Sequence, residues 1–284
     1  MRTKGIFLTV LSAIIYGFTP VLCSITYSYG NNPITLTFFR GFIILPILTC
    51  LMLKDKVSFK VNLIEFLKIS FVAIFGSVIT TLLLYSSYQY LDVGTSTTLH
   101  FMYPLFVTLI CHFIYKDVLT KRHIIALVLA LIGIFTFINF NDLNKIKGII
   151  FALTSGVTFS IYLVGIEKLK LSKMNDYKLS FYLALVMTIS LFIFGSTTKQ
   201  LVFNQPIQSY ALIVCVAILA QLIAVICLKK GIAYLGSSLA SMFSMFEPVS
   251  SVIFGFLFLN EPITALKVIG CCFILGGVSL LIKK

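Results

Sequence analysis

Apolar runs of about twenty residues recur along the whole chain, and short polar breaks separate them. A helix needs about 20 apolar residues to cross the hydrocarbon core of a bilayer, and these runs have that length. Marking the breaks predicts ten helices, over about 5–26, 33–53, 66–88, 94–115, 122–140, 147–166, 177–196, 209–229, 236–258 and 263–282. Connections are short, with Asn31-Asn32-Pro33 and Asn141-Asp142 supplying turn chemistry. The longest is the basic stretch KDKVSFKVNLIEF after the second helix, and no stretch reads as a soluble domain. The expected fold is an all-α membrane protein of ten transmembrane helices.

Composition supports this reading. Of the residues, 59% are hydrophobic and 11% charged, whereas soluble domains carry about 25% charged residues. No A-x-A-like cleavage site follows the first run, and TPVLC at 19–23 is a poor lipoprotein signal, so this run is read as a retained span. All seven cysteines fall in apolar stretches without metal-ligand spacing and read as small hydrophobic filler. The net charge of +13 raises the question of nucleic acid, but its placement answers it. Seventeen lysines and arginines fall at one set of helix ends and four (Lys145, Lys147, Lys199, Lys267) at the other, with Arg40 inside a span. That asymmetry orients a membrane protein. It predicts a multi-pass protein of the cell membrane, both termini cytoplasmic, with the lipid bilayer as partner and no nucleic acid.

The chain also repeats itself at an offset of about 143 residues. KGIFLTVLSAIIYGF (4–18) faces KGIIFALTSGVTFSI (147–161), and YLDVGTSTTLHFMYP (90–104) faces YLGSSLASMFSMFEP (234–248). Asp117 then matches Glu261, Thr120 matches Thr264 and Gly133 matches Gly277. Two units follow, 1–143 and 144–284. Five spans in each is an odd number, so the second half lies inverted relative to the first. Inverted repeats recur in secondary transporters, where the substrate site sits near the midplane between them.

GSSLASMFSMFEPVSSVIFGFLFLNEPIT, with its small-residue helix start, Glu-Pro and closing Asn-Glu-Pro, resembles the final repeat of EamA-like members of the drug/metabolite transporter superfamily. MYPLFVTLICHFIYKDVLT follows the pattern more loosely, with Lys-Asp in place of the usual acidic end, and TFFRGF at 37–42 resembles the arginine-bearing second span. The resemblance covers essentially the whole chain. It implies ten spans and a carrier of small metabolites, with amino-acid export the leading case and uptake the alternative. The first span lacks the glutamate of the four-span relatives, so their mechanism does not carry over.

Among candidate site residues Glu247 leads, because a charged acid at the centre of a span costs roughly 2.5–3.5 kcal/mol on insertion scales. It faces water, pairs with a cation or keeps a proton. Ser237, Ser241, Ser244, Glu247 and Ser251 recur every three or four residues and form one polar stripe. Serines alone also serve close helix packing; with Glu247 among them a cavity is favoured. Pro248 is expected to free the carbonyl of Ser244, and Pro104 that of His100, with Tyr103 in the place of Glu247. Pro20 would free Tyr16; Pro46 reads as a plain kink. Arg40 has three readings: snorkelling to the interface, binding a substrate carboxylate, or pairing with an acid. His100 is a proton relay or a packing histidine, while His112 and His123 read as structural. Gln221 is a pocket candidate in mid-span, and Tyr16, Tyr85 and Tyr162 read as pocket walls or interfacial belts.

The function expected is a secondary transporter working by alternating access, with a small-molecule substrate and no cofactor. There is no G-x-x-x-x-G-K-[ST] loop for ATP. Coupling to protons through Glu247 and uncoupled diffusion both stay open. An enzyme would need a Ser/His pair, an H-E-x-x-H helix or paired aspartates. Three histidines without such spacing, and Asp92 at a helix end, argue against one. A channel would show rings of like residues along a pore; here the polar groups cluster near mid-span.

Overall fold

The computed structural model describes residues 1–87, 90–91, 93–136, 146–260 and 263–282. Asp92, the Asn141–Asp142 turn, Lys145, Glu261, Lys283 and Lys284 lie outside the described residues. Among the described residues the chain is helical throughout, and one order of elements occurs twice. The first half comprises α1 (Arg2–Ser28), α2 (Pro33–Lys54), and α3 (Leu63–Ala73), which runs through a π-helical segment (Ile74–Ile79) into α4 (Thr80–Ser87). It continues with α5 (Val93–His100), α6 (Tyr103–Phe113) and α7 (Lys121–Phe135). The second half gives α8 (Ile146–Lys168), α9 (Asp176–Thr197), α10 (Ile207–Val216), a second π-helical segment (Ala217–Ala224) and α11 (Val225–Leu235). Then follow α12 (Ser237–Phe243), α13 (Phe246–Leu259) and α14 (Ala265–Ile282).

Among the described residues, seven helical segments are long and apolar enough to cross a membrane: Arg2–Ser28, Pro33–Lys54, Leu63–Ser87, Ile146–Lys168, Asp176–Thr197, Ile207–Leu235 and Ser237–Leu259. Their outward faces carry exposed large apolar side chains, such as Phe71, Ile189, Phe256 and Leu257. A helical bundle with an apolar exterior has the bilayer as its solvent. The chain is therefore a multi-pass membrane protein.

Local chemistry fixes where several helices start. The Asn32 side chain accepts the Thr35 N–H at 2.8 Å, with Pro33 at the first helical position. Asn62 and Glu65 form a capping box on α3. Pro104 and Pro248 act otherwise than as mid-helix breakers. Each sits in the first turn of a new helix, α6 or α13, where an amide hydrogen would have no helical acceptor. The Ser244 carbonyl, expected to be free, accepts the Glu247 N–H at 2.9 Å. Pro20 and Pro46 lie inside helices that continue past them.

The first helix of each half packs mainly on the other half. Thus α1 lies against α11 and α13, and α8 lies against α4 and α6. Small residues allow the close crossings. A Cβ on Gly17 would meet Ser250 Oγ at 2.3 Å and the Glu247 carbonyl oxygen at 2.6 Å. Gly133 and Gly277 both lie on the α7–α14 seam, where a Cβ would meet a backbone carbonyl at 2.5 Å and 2.6 Å respectively.

Candidate functional site

Among the two broken helical pairs, α5–α6 and α12–α13, α6 packs on α12, both pack on α8, and α12 and α13 pack on α1. Tyr16 of α1 interacts electrostatically with Tyr162, Arg40 and Glu247. Arg40 acts likewise on Tyr162 and Tyr85, and Glu247 on Tyr103. Six of the sequence candidates thus share one region: Tyr16, Arg40, Tyr85, Tyr103, Tyr162 and Glu247.

Neither charge is neutralised among the described residues. The Arg40 Nη2 reaches only Met187 Sδ at 3.8 Å, and its Nε is buried without a partner. Arg40 is half-buried, and no acid pairs with it among the described residues. Glu247 is half-buried, and its carboxylate has neither hydrogen bond nor ion pair among the described residues. An uncompensated charge costs roughly 2.5–3.5 kcal/mol in mid-span on insertion scales, and Arg40 and Glu247 both act electrostatically on Tyr16.

The walls are aromatic. Phe159 stacks on Tyr162 with centroids 5.6 Å apart and lies edge-on to Tyr103 at 4.8 Å. Tyr162 seats against Gly76 of the first π-helical segment, where a Cβ would come within 2.3 Å of its own. That segment is secured by Thr80, whose hydroxyl lies 2.8 Å from the Phe75 carbonyl and 2.7 Å from Thr158 Oγ1. The second is met by Ser12 of α1, which donates to the Ala224 carbonyl at 2.9 Å. π-Helical turns often mark functional positions.

Other candidates stand apart from the charges. The Ser244 hydroxyl donates to the Ala240 carbonyl at 3.0 Å. His100 Nδ1 lies 2.9 Å from Ser155 Oγ, and because Ser155 donates to Ala152 at 2.6 Å, Nδ1 carries the hydrogen. Its ring packs on Tyr103 and Phe159. Gln221 is buried in the second π-helical segment and makes no hydrogen bond within this cluster. The serine stripe is broken by the turn at Ser244–Met245. Ser241 donates to Ser238 and Ser251 to Gly17, both carbonyls, so these two serve packing.

Tyr85 lines a pocket of about 340 Å³ between α2, α4 and α9, with Asn32, Leu82, Phe194 and Gln200. It lies on the side of the bundle where α2 begins and α4 ends. The opposite, basic end is closed by a charge network that sequence reasoning did not single out. Lys168 binds Asp117 at 2.8 Å and Glu167 at 3.3 Å, and Glu167 also accepts the Ser237 N–H at the start of α12. Asp176 holds Lys229 at 2.6 Å and Lys230 at 2.9 Å. Just inside this network Cys111 of α6 meets Ser237 of α12 at 3.3 Å. The only sequence signal was the rarity of carboxylates, nine in all, several of them at helix ends.

The pattern of the EamA-like transporter family matches residues 3–139 and again residues 146–283. The chain belongs to the EamA-like transporter family, with two copies of its repeat. It is 24% identical over 205 residues to "Uncharacterized transporter sll1319" of Synechocystis sp., a match covering 70% of this chain and 61% of that protein's length. It is 22% identical over 231 residues to "Uncharacterized transporter YyaM" of Bacillus subtilis, covering 78% and 74%. A crystal structure shares the fold at a TM-score of 0.82 and 14% identity, over 99% of this chain and 97% of that one.

Proposed function

We propose that the protein is a secondary transporter of small zwitterionic metabolites of the amino-acid type, working as an exporter. The observation that carries this reading is that Arg40 and Glu247 both act electrostatically on Tyr16, while neither side chain has an ion-pair partner among the described residues. A substrate carboxylate satisfies the guanidinium and its ammonium group satisfies Glu247, while Tyr16, Tyr162 and Tyr103 supply amphipathic walls. The unpaired Nε of Arg40 gains an acceptor in the complex. Export is the direction the family resemblance favours.

In this account α5–α6, α7 and α14 complete ten spans, and the second five-helix repeat is inverted relative to the first. The reciprocal packing of α1 and α8 on opposite halves supports that symmetry, and the basic end is cytoplasmic. The network of Glu167, Lys168, Asp117, Asp176 and Lys229 then closes the cytoplasmic side, and the Tyr85 pocket is the outer approach. Rocking the halves about the charged pair exposes it to each side in turn. Glu247 carries either a proton or the substrate ammonium through the cycle.

The test is uptake and efflux of a radiolabelled amino-acid and metabolite panel in proteoliposomes, with and without an imposed pH gradient, for the protein and for Glu247→Gln. The account expects zwitterion flux that the substitution reduces about 100-fold, the equivalent of about 2.7 kcal/mol. Flux of zwitterions unchanged by Glu247→Gln would remove the glutamate from the site.

A further inference from the structure

At the basic end of the bundle a second pocket, of about 460 Å³, lies between the start of α3 and the loop joining α8 to α9. Four lysines line it, Lys68, Lys170, Lys173 and Lys178, against one carboxylate, Glu65. That carboxylate is turned toward its own helix, where it accepts the Asn62 N–H at 3.4 Å. Lys178 donates to the Lys60 carbonyl. The ammonium groups of Lys68, Lys170 and Lys173 have no hydrogen-bond or ion-pair partner among the described residues, in contrast to those of Lys168, Lys229 and Lys230 nearby. Orienting a membrane protein requires basic residues at one end, but it does not require them to converge on one concavity.

The walls are held in place. Leu171 is buried in the core, and Lys170 takes a left-handed backbone conformation (φ 62°) at the turn that leaves α8. Tyr182 donates to the Phe59 carbonyl at 2.5 Å, which ties the α2–α3 loop to α9. Leu169, Leu171, Met174 and Val57 give the pocket an apolar side. Directly beside Lys68, the same helix shows the bilayer a stripe of Leu63, Ile64, Leu67 and Phe71, spaced along one face.

We infer that this pocket binds the phosphate headgroup of an anionic phospholipid, with the acyl chains lying along the Leu63–Phe71 face of α3. Phosphate oxygens take several ammonium groups at once, and lysine binds phosphate as a point charge. Anionic lipid carries that group to the depth at which the apolar stripe ends and the lysines begin. Basic pockets between spanning helices recruit such headgroups. The inference does not depend on the substrate assigned above.

Native mass spectrometry of the full chain in neutral detergent tests it, titrating phosphatidylglycerol against phosphatidylcholine and separately adding inorganic phosphate. The expected result is preferential binding of phosphatidylglycerol. It weakens roughly fivefold for each lysine removed, from about 1 kcal/mol per lysine near the surface, and is lost in Lys68→Ala/Lys170→Ala/Lys173→Ala. The corresponding triple arginine variant keeps it, as does Lys121→Ala/Arg122→Ala at the other basic pocket. If the triple alanine variant does not fold, Lys68→Gln alone reads the smaller loss. Equal binding of the two lipids, or full preference in the alanine variant, overturns the site. Displacement of the lipid by millimolar inorganic phosphate overturns the lipid as its ligand.

Discussion

At the basic end Asp176 holds Lys229 at 2.6 Å and Lys230 at 2.9 Å, and Lys168 spans from Asp117 to Glu167. Elsewhere, Arg40 of α2 finds only a methionine sulfur of α9, and the Glu247 carboxylate of α13 has no pairing group among the described residues. Both regions remove charge from bulk water, and they differ in whether the chain itself supplies the counter-charge. Where it does, the charges hold helices together; where it does not, the proposed function leaves the pairing to be completed by the substrate.

Four predictions would break or sharpen that comparison. Asp176→Ala leaves Lys229, only 4% exposed, without its carboxylate. It is expected to cost roughly 3 kcal/mol of folding stability, at the low end for a broken buried pair because Asp176 is partly exposed. Thermal unfolding in detergent checks it, and an unchanged midpoint would make the network ornamental. Arg40→Gln, in contrast, is expected to leave the unfolding midpoint the same or higher, while zwitterion flux falls about 100-fold, or about 2.7 kcal/mol. A destabilised Arg40→Gln with normal flux would place Arg40 among the structural charges.

Gly17→Ala comes third. Its Cβ meets backbone at 2.6 Å, so α1 and α13 must separate, at a cost of about 1–3 kcal/mol from overpacking. Because Glu247 rides on α13, flux should fall with stability, and Gly17→Ala with wild-type flux would uncouple the crossing from the site. Smallest is Lys230→Ala. Its side chain is 45% exposed, and removal should cost about 0–1 kcal/mol, as exposed pairs do. A loss as large as that of Asp176→Ala would show that Lys230, not Lys229, anchors the network.

Much of the fold was legible because spans are long and their period is plain. The expected start of the second helix at 33 agrees with α2, since Asn32-Pro33 is both turn and cap. The repeat was legible because Lys-Gly-Ile and Tyr-Leu keep register. The internal breaks were less so: proline signals a missing donor, but not that the helix will restart around it, which returns the Ser244 carbonyl to Glu247. The serine stripe misled for a related reason. A serine hydroxyl can satisfy itself on a carbonyl one turn back, as Ser244 does on Ala240, so polarity on one face does not establish a cavity. Arg40 and Glu247 stood out in sequence because nothing nearby in the chain could neutralise them. Asp176 did not, because Lys229 and Lys230 are brought to it by tertiary packing.

The central claim is that Arg40 and Glu247 grip opposite ends of one substrate. Competition against flux of the best zwitterion, using its amide and its N-acetyl derivative, tests it most directly. The account predicts that the amide, which lacks the carboxylate, competes weakly with the protein but is no longer distinguished from the zwitterion by Arg40→Gln. The N-acetyl derivative behaves the same way toward Glu247→Gln. If both derivatives compete as well as the zwitterion itself, and neither substitution alters the ranking, the two charges do not read the substrate and the account is contradicted.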